Sequence, residues 1–236
     1  MHVRFLIAAM MLGLPHAHAG ELLINGGFEE DGAETASIAG WTVDESAATG
    51  AVWATDQAFA PASGAALPAA PGGSFFGLID AYNPGAFALS QVFSTAAVSS
   101  AVLSFRLFVN NPDGEVVDVS GLDETTGGDF RENQHVRVDL LADGASPFAT
   151  DASVLRSLYL GGDSTAGFED YVFDLGSDLV AGGTYALRFA AVGNLGQFQV
   201  GVDDVSLRVT SVPEPATAAL MLAGLGLVGA TVRRRA

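Results

Sequence analysis

The sequence predicts an all-β body, a sandwich of two antiparallel sheets, and three observations predict it. Short segments alternate apolar and polar residues with period two, clusters of turn-forming residues separate them, and no long amphipathic helix competes. Leu103, Phe105, Leu107 and Val109 alternate with Ser104, Arg106 and Phe108. Val136, Val138 and Leu140 alternate with His135, Arg137 and Asp139. Tyr185, Leu187, Phe189 and Ala191 alternate with Ala186, Arg188 and Ala190. Each run reads as a strand with one buried face and one face toward solvent.

In chain order the expected strands are Glu21–Asn25, Trp41–Val43, Ala51–Ala54, Ser74–Asp80, Ala86–Phe93, the run at 103–109, the run at 135–140, Val154–Leu160, Phe168–Leu175, the run at 185–191, and Phe198–Val209. Asn83-Pro84-Gly85, Asn111-Pro112-Asp113-Gly114 and Gly182-Gly183 punctuate them. Two longer stretches read as loops. Ala58 to Gly73 is rich in Ala, Pro and Gly, and Asn110 to Asn133 is acidic. Loops of that length are usually functional or disordered. So many short strands in one body of this size suit a two-sheet sandwich.

The two ends differ from the body. Met1 to Ala19 begins with His2 and Arg4, continues through the apolar run Phe5 to Leu14, and closes on Ala17-His18-Ala19. That is the layout of a secretory signal peptide, whose removal leaves Gly20 first. At the other end, Val212-Pro213-Glu214-Pro215 precedes Ala216 to Val232, which carries no charge, and then Arg233, Arg234 and Arg235. An apolar run of that length is expected to form a short transmembrane helix. The arginines would hold its end on the cytoplasmic side. The expected organisation is therefore a signal peptide at 1–19, a β-sandwich domain at 20–211 and a sorting tail at 212–236.

Composition narrows the function. Of 10 basic residues, all arginine, four lie in the end segments; of 27 acidic residues only Glu214 does. The body thus carries 6 basic and 26 acidic residues, a net charge of −20. Such a surface suits cations and argues against nucleic acid and anionic lipid as partners. The chain has no cysteine, so neither disulfides nor thiolate metal sites hold the body together.

Candidate sites follow from residue chemistry. Asn25-Gly26-Gly27-Phe28-Glu29 ends the first expected strand, and Gly201-Val202-Asp203-Asp204-Val205-Ser206-Leu207 lies in the last. If those strands are close, Glu29 and Asp203, with Asp204 as the alternate, could hold a structural Ca²⁺, which favours several oxygen ligands. The same carboxylates would serve equally as ordinary turn and edge groups. Trp53, Tyr82 and Tyr159 are candidate sugar-stacking aromatics, and each would equally pack in a sandwich core. The expected signal peptide contains three of the four histidines, leaving His135, which the alternation places on a solvated strand face. No metalloprotease helix or phosphate loop occurs, and a non-enzymatic protein is expected. Glycan hydrolysis needs only two carboxylates, so a secreted glycan-active hydrolase is the alternative, as is a purely structural protein.

Three resemblances bear on these expectations. The Asn25–Glu29 start, Gly40-Trp41 soon after, and the Val202–Leu207 finish resemble the galactose-binding-like jelly rolls, which include carbohydrate-binding modules and bacterial surface domains. That resemblance implies a jelly-roll sandwich, a structural calcium at Glu29 and Asp203, and possible affinity for polysaccharide. Gly162-Asp163-Ser164 resembles the nucleophile block of the GDSL esterases, but these need a histidine near the C-terminus and none follows His135. The tail resembles the PEP-CTERM sorting signal, with Pro213-Glu214-Pro215, the apolar run and the arginine cluster in that order. It implies recognition by an exosortase-type membrane protease. It also implies export across the inner membrane, a transient anchor, and a mature protein at the cell surface or in an exopolysaccharide or biofilm matrix.

Overall fold

The computed structural model describes residues 19–46, 50–82, 84–96, 98–117, 121, 122, 132–211 and 224. Most of the expected signal peptide, the Pro-Glu-Pro motif, nearly all of the apolar run and Arg233 to Arg235 lie outside the described residues. No helix among the described residues is long and apolar enough to cross a membrane.

Among the described residues, eleven strands form two antiparallel sheets. They are β1 (Ala19–Glu21), β2 (Thr42–Ser46), β3 (Gly50–Thr55), β4 (Phe76–Ala81), β5 (Gly85–Ser94), β6 (Val98–Asn110), β7 (Gln134–Ala142), β8 (Val154–Gly161), β9 (Glu169–Asp174), β10 (Thr184–Gly193) and β11 (Phe198–Ser211). One sheet has the order β3-β4-β11-β6-β9, with β1 added beside the end of β11; the other is β2-β5-β10-β7-β8. Between them lies the core expected from the alternation, including Leu103, Phe105, Leu107, Val138, Leu140, Leu187 and Phe189. Phe105 and Phe189 meet edge to face with centroids 5.2 Å apart, joining the two sheets.

The first strand is shorter than the alternation predicts. Leu22 N still donates to Leu207 O, but Leu207 N turns to the Glu21 carboxylate, so the ladder with β11 stops there and Leu23–Asn25 leads into a turn. Asn25 and Phe28 then adopt left-handed backbone (φ 49° and 59°), so the chain turns away instead of resuming the ladder. Trp41 precedes β2 rather than joining it: its N donates to Ile38 O in a turn, and its ring is buried on Phe28 at 5.5 Å.

The larger correction concerns the outer sheet faces, which the alternation placed in solvent. On the five-stranded sheet, Ala86, Ala88, Ala190 and Val192 form a second apolar cluster with Leu122, from the β6–β7 connection, and Phe148, from the β7–β8 loop. Arg188, read as a solvated arginine, is fully buried. It pairs with the buried Asp139 and donates to the carbonyls of Pro147 and Ala149. Asp139 also takes two hydrogen bonds from Arg137. His135 is 1% exposed, with Nδ1 2.8 Å from Asn133 Oδ1. These groups are hydrogen-bonded to protein rather than hydrated, with the buried Arg188 Nε as the exception among the described residues.

The six-stranded sheet is covered in part. Phe168 lies over Phe76 and Phe108, at 5.3 and 5.7 Å, and Gly201 provides the room, since a Cβ there would come 2.8 Å from Phe108. This explains why Phe108 interrupts the polar face of its strand. The Ala/Pro/Gly-rich loop is fastened to the sheet at Ser63. Ser63 N donates to the buried Asp80, Gln199 Nε2 to Ser63 Oγ, and Gln197 Nε2 to Ser63 O.

Candidate functional site

Local chemistry shapes the Asn25–Glu29 turn. Asn25 Nδ2 donates to Ala39 O, its Oδ1 accepts from Glu30 N, and its carbonyl accepts from Phe28 N and Trp41 Nε1. The turn docks where β11 is irregular. The β6–β11 register shifts between Asp203 and Ser206, Asp204 has φ 50°, and Val205 N turns to Gly26 O at 2.9 Å. A Cβ on Gly26 would overlap the Val205 carbonyl, so only glycine allows this approach.

The result is a carboxylate cluster. Glu29 and Asp203 flank Gly27: a Cβ there would lie 3.9 Å from Glu29 Cγ and 4.0 Å from Asp203 Oδ1. Glu29 Oε1 accepts from Ser74 N and Phe75 N, both at 2.7 Å. Asp203 accepts from Gly72 N at 3.2 Å and Asp204 N at 2.7 Å. Asp204 faces elsewhere, with its Oδ2 3.1 Å from Arg106 Nη1. Asp203 is fully buried, and burial pushes its carboxyl up to about 7. The negative charges of Asp204 and Glu29 add to that shift, while the two backbone donors oppose it.

These residues suit a hard cation in donor type and charge. Among the described residues no group of three or more carboxylate, histidine or cysteine side chains is arranged to hold a metal. A Ca²⁺ at Glu29 and Asp203 would therefore need backbone carbonyls or water in its shell.

The three candidate aromatics do not converge. Trp53 is half-buried on β3 opposite Leu78. Tyr159 is half-buried, edge-on to Tyr171 at 5.3 Å, and Tyr171 stacks on the core Phe105. Tyr82 is 48% exposed and lines a shallow cavity of about 530 Å³ with Pro112, Asp113, Gly196 and Gln197. Trp53 and Tyr159 are absent from that lining. Asp113 and Gln197 line this cavity without having been candidates from the sequence, because Asn111–Gly114 reads only as a turn and Gln197 as a strand flank. Their convergence depends on the loops after β4, β6 and β10 meeting at one end of the sandwich.

A larger open groove of about 660 Å³ runs beside β1 and β11 and contains two carboxylates, Glu21 and Asp204. Both are engaged. Glu21 accepts from Leu23 N, Leu207 N and Ser206 Oγ, and Asp204 pairs with Arg106.

β11 ends at Ser211, and Val212-Pro213-Glu214-Pro215 follows at once. Residues 211–235 match the PEP-CTERM protein-sorting motif. A PEP-CTERM motif implies an exported protein that is targeted to the cell surface and processed by exosortase, a membrane protein. The PEP-CTERM match covers the tail alone, and no curated protein matches the chain.

Solved structures resemble the sandwich. TmCBM61 in complex with beta-1,4-galactotriose has 16% identity and a TM-score of 0.47, covering 83% of this chain and 99% of that one. A structure described as carbohydrate-binding modules of the β-sandwich superfamily has 16% identity and a TM-score of 0.47, covering 77% and 60%. The apo form of a cyclase from Fischerella sp. has 15% identity and a TM-score of 0.48, covering 83% and 98%. At these identities and scores the likeness assigns neither ligand nor activity to this PEP-CTERM chain.

Proposed function

We propose that this chain is an exported, non-enzymatic component of the cell surface or the exopolysaccharide matrix, delivered by its PEP-CTERM tail. The observation that carries this reading is the sorting motif directly after the last strand of a complete sandwich. The tail holds the protein transiently in the membrane, exosortase removes it, and the sandwich is the working part. Mass spectrometry of the mature protein in its own host tests the route. Loss of everything beyond the Pro-Glu-Pro region supports it, and an intact Arg233–Arg235 end refutes processing.

Two features support a non-enzymatic role. His135 is buried and hydrogen-bonded, away from any role as an exposed base. The two carboxylates of the groove beside β1 and β11 are tied to backbone, serine and arginine partners, which suits a structural role better than that of a glycosidase pair.

We assign glycan affinity to the cavity at Tyr82. An exposed ring offers a stacking face for a sugar, while Asp113 and Gln197 offer acceptors and a donor for hydroxyls. Glycan-array and polysaccharide pull-down assays on the wild type and on Tyr82→Ala test this. Binding lost in the variant at an unchanged melting temperature supports the assignment, and no binding by the wild type to any matrix polysaccharide removes it. A structural Ca²⁺ held by Glu29 and Asp203 completes the reading. It would neutralise a buried carboxylate and hold the N-terminal turn to β11.

A further inference from the structure

The strand register sorts the ends of the molecule. Ala19 pairs with Thr210 and Ser211 with Val98, so both ends of the sandwich chain lie side by side. The β9–β10 loop shares that pole, because Thr184 pairs with Ser94 and Val102 with Asp174. At the opposite pole Phe198 pairs with Ala81, Gln199 with Asn110, and Gly193 with both Gly85 and Gln134. The Tyr82 cavity lies there. β11, with 14 residues, runs from one pole to the other, roughly 45 Å at about 3.3 Å per residue.

We propose that, before the tail is cut, the sandwich stands on the pole that carries both chain ends, with that pole against the lipid surface and the Tyr82 cavity pointing away from it. The inference rests on the reading that the apolar tail inserts into the membrane. Only residues 212–215 separate Ser211 from the apolar run at Ala216. Even fully extended, that tether reaches about 18 Å, less than half the length of β11. The far pole therefore cannot approach the bilayer unless the sandwich lies on its side.

The outer sheet faces do expose apolar side chains, Val102 and Val172 on one and Val92 on the other; what they lack is a row of cations. Arg106, Arg137, Arg156 and Arg188 are each paired with an aspartate, so they offer no row of free cations to lipid headgroups. The net charge of the body opposes contact with anionic lipid. The end-bearing pole does present an apolar contact. Val180 is 64% exposed at the tip of the β9–β10 loop, held by Val180 N donating to Tyr185 Oη and by Thr95 Oγ1 donating to Val180 O.

The absence of cysteine allows a direct test. Single-cysteine variants of the full chain place a fluorophore at Ser177 or Ser100 on the end-bearing pole, or at Ala166 on the far one, all exposed. Each is reconstituted into phosphatidylcholine vesicles carrying a headgroup quencher. Flotation with the vesicles and loss of fluorescence at Ser177→Cys and Ser100→Cys, with none at Ala166→Cys, support the proposal. Flotation with equal quenching at both poles, with none at either, or with quenching only at the far pole overturns it while leaving tail insertion intact. Failure to float refutes tail insertion and the proposal with it.

Discussion

Buried Asp203 makes a prediction whose sign is opposite to that of an ordinary paired carboxylate. Its folded pKa of about 7 lies above the ordinary 3.8. Between those values the folded state holds a proton that the unfolded state has lost, so stability falls as pH rises. The penalty is absent below the unfolded value and complete above about pH 7. At about 1.4 kcal/mol per pH unit it amounts to roughly 4 kcal/mol, an upper bound because part of the shift comes from the neighbouring charges of Asp204 and Glu29. In chelator, the melting temperature should therefore be higher at pH 5 than at pH 8. Adding Ca²⁺ should raise it more at pH 8, where the ion meets an ionised carboxylate. Other groups also titrate in this range, so the decisive comparison is with Asp203→Asn, whose pH slope should be flatter than that of the wild type. Thermal melts followed by circular dichroism measure all four conditions. Equal slopes in wild type and variant would refute the assignment of the titration to Asp203. A melting temperature indifferent to Ca²⁺ at pH 8 would refute the cation site.

Three further outcomes follow from packing. Asp139→Asn leaves the buried Arg188 without its counter-charge and should cost about 3–5 kcal/mol in urea unfolding. The double change Asp139→Leu with Arg188→Met should recover much of that loss, since apolar replacement of a buried pair is often neutral. Phe189→Ala removes a fully buried ring that touches Trp41 and Phe105, and should cost about 3–5 kcal/mol by the same assay. Gly26→Ala should separate the N-terminal turn from β11; amide hydrogen exchange at Val205 should rise, with Ala88 in the other sheet unchanged.

Much of the fold is legible in the sequence because strand alternation is a local property. Leu103, Phe105 and Leu107 alternate with polar neighbours wherever the chain goes, and each of the eleven strands overlaps or directly adjoins an expected segment. The tail is legible for a similar reason, since a sorting signal is read as a linear order of residues and requires no fold. The candidate cluster is half legible. Glu29 and Asp203 are visible as carboxylates beside glycines, but nothing local shows that backbone donors at Gly72, Ser74 and Phe75, where the Ala/Pro/Gly-rich loop meets the next expected strand, will converge on them.

What only the tertiary structure decides is which polar groups meet water. Period two distinguishes two strand faces, yet nothing local tells whether a remote loop will cover the outer one. Phe148 and Leu122 cover Ala88 and Ala190, and Arg188, Asp139 and His135 become buried polar groups instead of surface ones. The same applies to the cavity, where Tyr82, Asp113 and Gln197 lie far apart in sequence and meet because β4, β6 and β11 place their ends at one pole. By itself the sequence determined an acidic β-rich body with a PEP-CTERM address. Long-range register decided that both chain ends share one pole and that the Tyr82 cavity lies at the other, because antiparallel pairing fixes where a strand ends only once its partner is known.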